Sequence, residues 1–166
     1  MKIKIAGTVN DSIVDGEGIR FVVFVQGCIH HCKGCHNPQT HSFDGGIEAD
    51  TDELLKTILN NPLLDGVTFS GGEPFCQPAP LYELGKRVKE HGLNVVCYSG
   101  FTFEQLVEKS KTERDVFDLL SIIDVLIDGP FIMEKRNLLL KFRGSENQRI
   151  IDLPKSLAEG RAVVLD

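Results

Sequence analysis

A chain of 166 residues with 42% hydrophobic content can bury one good core, since domains of ~100 to 200 residues are the common case, and residues 1–166 read as a single domain. The net charge of −6 at pH 7 excludes the broad basic face with which nucleic-acid binders meet phosphates, so no DNA or RNA partner is expected. No apolar run approaches the roughly 20 residues of a bilayer span, and Met1-Lys2-Ile3-Lys4 lacks the apolar stretch of a signal peptide, so the expected location is the cytoplasm, with no membrane partner.

Along the chain, apolar runs rich in β-branched residues at 3–9, 21–25, 67–69, 93–97 and 125–127 are expected strands. Asp50 with Glu53 has the form of a capping box, and Leu54, Leu55, Ile58 and Leu59 then make one apolar helical face that ends near Asn61-Pro62. Leu81, Leu84 and Val88 repeat that spacing, and Gly92 stands where a left-handed C-terminal cap would lead into the next strand. Thr102 with Gln105 starts a third helix, and the polar stretch 109–114 separates it from an apolar run at 116–123. This alternation predicts a parallel α/β sheet. The weaker pattern over 135–151 reads as an irregular or edge segment.

Five cysteines are an odd number, and in a reducing compartment clustered thiols read as metal-binding before they read as disulfides. Cys28, Cys32 and Cys35 follow the strand at 21–25 with C-x3-C-x2-C spacing. Zinc would need a fourth ligand, which His30, His31, His36 or a distant cysteine could supply. A cubane held by three thiolates instead leaves one iron open to a substrate, whereas an electron-carrying cluster takes four. Cys76 and Cys97 lie in apolar surroundings and read as small buried hydrophobes.

A second constellation, Ser70-Gly71-Gly72-Glu73-Pro74, ends the strand at 67–69. Its glycines let the backbone approach a ligand closely, and Glu73 at a strand's carboxyl end is placed to accept hydrogen bonds from a cationic amino group; taken alone, the same residues make an ordinary turn. His30 and His31 are loop residues that could tune a cluster through hydrogen bonds to sulfur. Asp15, Glu17 and Arg20 read equally as turn filler and as the mouth of a partner site. Asp128 reads equally as a ligand to a ribose or cation and as a helix cap. The basic residues Lys135, Arg136, Lys141 and Arg143 read as a solvated face.

The pairing of a C-x3-C-x2-C loop after one strand with a Gly-Gly-Glu turn after the next resembles the radical S-adenosylmethionine (SAM) superfamily. That resemblance implies a four-iron four-sulfur (4Fe-4S) cluster on Cys28, Cys32 and Cys35, with SAM on the remaining iron and its amino end held by Ser70, Gly71, Gly72 and Glu73. It further implies cofactor contacts from Gly34, Cys35 and His36, and from Ser99 and Asp128 at later strand ends. The superfamily usually carries an aromatic residue where this chain has Gly34, so there the backbone would serve.

Gly34-Cys35-His36-Asn37, together with residues 14–20, 98–101, 126–131 and 142–148, looks more narrowly like the activating enzymes of anaerobic (class III) ribonucleotide reductase. The implied fold is an open partial (β/α) barrel, shorter than eight strands. In the implied reaction an external one-electron donor reduces the cluster, and SAM is cleaved to methionine and a 5′-deoxyadenosyl radical. That radical takes a hydrogen atom from a glycine of anaerobic ribonucleoside-triphosphate reductase, the implied protein substrate. The same motifs also fit a radical SAM enzyme acting on a small molecule, such as the 7-carboxy-7-deazaguanine synthases, and the thiols alone fit a non-catalytic zinc-binding module.

Overall fold

The computed structural model describes residues 1–165. Strands β1 (Lys2–Ser12), β2 (Arg20–Val25), β3 (Ile47–Asp50), β4 (Gly66–Gly71), β5 (Asn94–Tyr98), β6 (Val125–Asp128) and β7 (Arg149–Asp152) form one sheet in the order β3-β1-β2-β4-β5-β6-β7. Because β3 and β7 lie at opposite edges, the sheet stays open. Helices α1 (Thr51–Leu59), α2 (Pro78–Glu90), α3 (Phe103–Ser110), α4 (Arg114–Leu120) and α5 (Leu153–Glu159) complete the chain. None of the helices among the described residues is long and apolar enough to cross a membrane.

The expected parallel sheet is present as a four-strand centre, and antiparallel strands make the whole sheet mixed. β2, β4, β5 and β6 are parallel, whereas β1, β3 and β7 pair antiparallel to their neighbours. The central strands read as near-continuous apolar runs because both of their faces are covered, as parallel strands require. Phe21, Val23, Val25, Val67, Phe69, Val95, Cys97 and Leu126 pack on one face with Leu55, Ile58, Leu81, Leu84, Leu106 and Leu119 of the helices. Strand alternation turns Val22, Thr68, Val96 and Ile127, all buried, to the other face.

Local chemistry sets the helix boundaries. Thr102 and Gln105 form the expected reciprocal capping box of α3. Asp50 caps α1 through the Asp52 N–H at 2.8 Å, so Glu53 takes no part. Gly92 adopts φ +82° just after α2, as the left-handed cap required.

At the amino ends of the parallel strands lies Arg20, only 1% exposed. Its guanidinium donates to Thr68 Oγ1 at 2.7 Å, the Val67 carbonyl at 2.7 Å, Asn94 Oδ1 at 2.6 Å and the Glu17 carbonyl at 2.8 Å. One side chain thus ties three strands together at the end opposite the loops that follow them. Those loops, at the carboxyl ends, are where open α/β sheets bind ligands.

Candidate functional site

Residues 26–41 leave β2 and return to it. The Gly27 N–H donates to the Thr40 carbonyl at 2.7 Å and the Cys28 N–H to the His41 carbonyl at 3.1 Å, closing the loop at its base. The buried Gln26 amide adds bonds to the carbonyls of Gln39 (3.1 Å) and Ser42 (2.6 Å). The next strand end locks onto this base, since the Gly72 N–H reaches the Val25 carbonyl and the Glu73 N–H the Gly27 carbonyl, both at 2.8 Å. Gly71 and Gly72 are therefore packing glycines. A Cβ on Gly71, which sits at φ +94°, would lie 2.6 Å from the Val25 nitrogen, and one on Gly72 would lie 2.9 Å from the Thr40 oxygen.

Cys28, Cys32 and Cys35 are free thiols, and all three line one cavity of about 440 Å³, inside the ~300 to 1,000 Å³ usual for cofactor sites. Burial pushes the Cys28 thiol above its ordinary pKa, against the backbone N–H groups of His30 and His31, which favour the thiolate. The Asn37 N–H points at Cys35 Sγ at 3.4 Å. Among the described residues, no three His, Cys, Asp or Glu side chains converge as ligands of a single ion. Three thiols lining one space are soft donors of the kind that iron–sulfur clusters take.

Of the other expected contacts, His36, Ser70, Gly71, Gly72 and Ser99 line the same cavity. Gly34 does not; it sits at φ +76°, and a Cβ there would strike the end of the Met133 side chain. Both the backbone conformation and this neighbour account for glycine where an aromatic residue would be usual.

Glu73 and Asp128 are also absent from the lining, because their carboxylates turn into the protein. Asp128, 1% exposed, accepts from the Phe103 N–H at 2.7 Å and from Arg149 Nη2 at 2.6 Å, so it caps α3 and pairs with β7. Glu73, 0% exposed, is engaged by His30, Ser99, Gly100 and Phe75. Asp15 reaches the cavity wall, while Arg20 stands behind it and holds the strands.

Sequence reasoning gave no site role to His41, Gly129, Asn137, Leu138, Leu140 and Gln148, which also line the cavity. Tyr98 carries the signal that could have placed part of this set: its phenol donates to the Phe142 carbonyl at 2.5 Å, drawing the 137–144 loop over the end of β5. Nothing in the spacing marks His41, which arrives through the Pro38–Thr40 turn.

Cys76 and Cys97 do not border the cavity. Cys97 lies wholly buried in β5 among core residues. Burial pushes the Cys76 thiol up to about 11, so at pH 8 its thiolate fraction is about a hundredfold below that of an ordinary cysteine. In metal-free protein, Cys76 is expected to alkylate with iodoacetamide far more slowly than free cysteine at pH 8, and about tenfold faster per pH unit up to about 11. Peptide mass spectrometry after timed labelling reads this, and a rate at pH 8 equal to that of free cysteine contradicts it.

The 4Fe-4S single cluster domain family matches residues 14–151 of this chain. The chain is 34% identical over 148 residues to the anaerobic ribonucleoside-triphosphate reductase-activating protein of Haemophilus influenzae, covering 83% of this chain and 90% of that protein. Against the protein of the same name from Vibrio cholerae it is 35% identical over 147 residues, with the same shares covered. It is also 49% identical over 121 residues to the pyruvate formate-lyase-activating enzyme of Clostridium pasteurianum, covering 68% of this chain and 50% of that enzyme.

Proposed function

This chain belongs to the 4Fe-4S single cluster domain family and is related along most of its length to the anaerobic ribonucleoside-triphosphate reductase-activating proteins, and from that membership we propose that it installs a glycyl radical on an anaerobic ribonucleoside-triphosphate reductase. The cofactors of this reading are the 4Fe-4S cluster for which the family is named and SAM. One observation carries the reading onto this chain's own residues: three thiols of a single loop share a cavity with Ser70, Gly71 and Gly72 of the next strand end and with Ser99 of the one after.

Cys28, Cys32 and Cys35 would hold the cluster through three irons. Ser70, Gly71 and Gly72 offer backbone and hydroxyl groups to the amino end of SAM, and Ser99 and His36 border the remaining space. When bound, the cluster and SAM would together supply the reductive cleavage that yields a hydrogen-abstracting radical. Within the protein, buried Cys28 sets the inner face of the loop, and the Tyr98 phenol secures the 137–144 loop across the opening. That loop carries Leu138 at 81% exposure beside the cavity, an apolar lip across which a glycine-bearing segment of the partner would pass. The electron comes from an external one-electron donor. Free cysteines throughout the chain suit a reducing compartment, the cytoplasm.

The test is anaerobic incubation of the reconstituted, reduced protein with SAM and the reductase. A doublet glycyl signal in electron paramagnetic resonance, together with 5′-deoxyadenosine release, is expected, and replacing the reductase's radical-site glycine by alanine removes the signal. Pyruvate formate-lyase serves as the second substrate, because the 49% identity to its activating enzyme favours it over two thirds of the chain. A signal on that enzyme alone reassigns the target, whereas 5′-deoxyadenosine formed only with 6-carboxytetrahydropterin moves the reaction to a small molecule.

A further inference from the structure

Glu73 is completely buried, and donors from four separate points surround its carboxylate. His30 Nε2 lies 2.6 Å and the Gly100 N–H 2.8 Å from Oε1; the Phe75 N–H lies 3.0 Å from Oε2, and the Ser99 hydroxyl 3.0 Å from both oxygens. A carboxylate only accepts, so His30 carries its proton on Nε2. A carboxylate also offers about four lone-pair sites, and four donors fill them. An ammonium group arriving from the cavity would have to displace one of these donors, yet His30, Ser99 and Gly100 border the cavity and Glu73 does not.

Packing fixes the same arrangement independently of the hydrogen bonds. The His30 ring meets Phe101 edge-on, with centroids 4.6 Å apart. A Cβ on Gly100 would lie 2.7 Å from His30 Nε2 and 2.8 Å from its Cγ, so only glycine leaves room for the ring to reach the carboxylate. The Ser99 hydroxyl, while donating to Glu73, accepts from the Phe101 N–H at 3.0 Å. On its backbone side, Glu73 holds Gly27 at the base of the cysteine loop.

We infer that Glu73 is a positioning residue, a buried latch that fastens His30 of the cysteine loop to Ser99 and Gly100 at the end of β5, and that its influence on SAM passes through those segments rather than through contact with the amino group. This rests on the reading of the cavity as a cluster and SAM site. The latch makes the separation between the thiols and the Ser99-Gly100 wall a property of one carboxylate.

The variants are Glu73→Gln, His30→Ala, His30→Gln and the double variant Glu73→Gln with His30→Ala. In metal-free protein, hydrogen–deuterium exchange at the Phe75 and Gly100 amides is expected to quicken in His30→Ala and Glu73→Gln, and to return toward wild type in His30→Gln, whose amide restores an N–H near the Nε2 position. In reconstituted protein, equilibrium dialysis with SAM is expected to show about tenfold weaker binding for both single variants, the scale of one lost charge-assisted hydrogen bond. The double variant should be no weaker, because both changes cut one connection.

The inference is overturned if Glu73→Gln weakens SAM binding while His30→Ala alters neither SAM binding nor amide exchange, which makes Glu73 a direct ligand. It is equally overturned if the two losses multiply in the double variant. Should wild-type protein take up neither cluster nor SAM, the functional reading fails, and the exchange measurement still decides the latch.

Discussion

Alanine at Cys28, Cys32 or Cys35 is expected to lower the iron of anaerobically reconstituted protein from about four per chain, the cubane stoichiometry, to near none, and to abolish SAM cleavage with it. Alanine at Cys76 or Cys97 is expected to leave both in place. The difference follows from where the thiols point. The first three line one cavity, whereas Cys97 is buried on the helix-packed face of β5 with Sγ directed at its neighbour's carbonyl. Cys76 borders a separate groove with Ile29, Phe43 and Arg114, behind the loop. Iron and acid-labile sulfide assays on all five variants check this. Loss of the cluster in Cys76→Ala would return the site to a four-thiolate arrangement and remove the open iron on which the proposed activity depends.

Gly72→Ala is the second substitution with a large expected effect, although it alters no donor atom. The added Cβ would lie 2.8 Å from the Gly27 carbonyl carbon and 2.9 Å from the Thr40 oxygen. Both are backbone atoms held by the hydrogen bonds that close the cysteine loop, so no side-chain rotation relieves the overlap. Overpacking of this kind costs about 1 to 3 kcal/mol or more, which for a chain of this size corresponds to roughly 2 to 12 °C in Tm. Thermal unfolding of the metal-free protein should show that fall, and iron uptake should drop in parallel as the loop base shifts. Gly92→Ala provides the contrast: that position has φ +82° but nothing near its Cβ, so stability falls by about 1 to 2 kcal/mol from the left-handed backbone alone and iron uptake is unchanged. Full iron uptake and an unchanged Tm in Gly72→Ala would show that the two loops do not depend on each other.

The sequence made the central strands and their helices legible because a continuous apolar run and a 3.6-residue period are what two-sided burial leaves behind. It did not reveal direction. β1 pairs antiparallel with β2, and the alternation of apolar segments that suggested parallel pairing is silent about a strand laid back along its neighbour. β3 escaped notice because its four residues, Ile47–Asp50, are at best half-buried, as edge strands allow. β7 lay inside the weakly patterned stretch because Arg149 and Asp152 bracket only two apolar residues.

At the site, the cysteine triad was readable since ligand chemistry is written in spacing. The inward turn of Glu73 and Asp128 was not, because both end parallel strands at the expected edge and only the folded chain brings each carboxylate onto its own donors. His41, brought to the wall by three residues of turn, left no periodic trace.

The closure of the cysteine loop has a consequence for how the protein survives air. Gly27 meets Thr40, Cys28 meets His41, and Gln26 meets Gln39 and Ser42 through peptide groups and one amide side chain, none of which is a thiol. In a zinc finger, folding and metal capture are a single event, so a stripped finger is an unfolded one. Here the receptacle is shaped by bonds that oxidation of the iron leaves untouched. Loss of the iron is therefore expected to leave a standing scaffold that can be refilled, and circular dichroism of the metal-free protein, unchanged after iron removal, checks it.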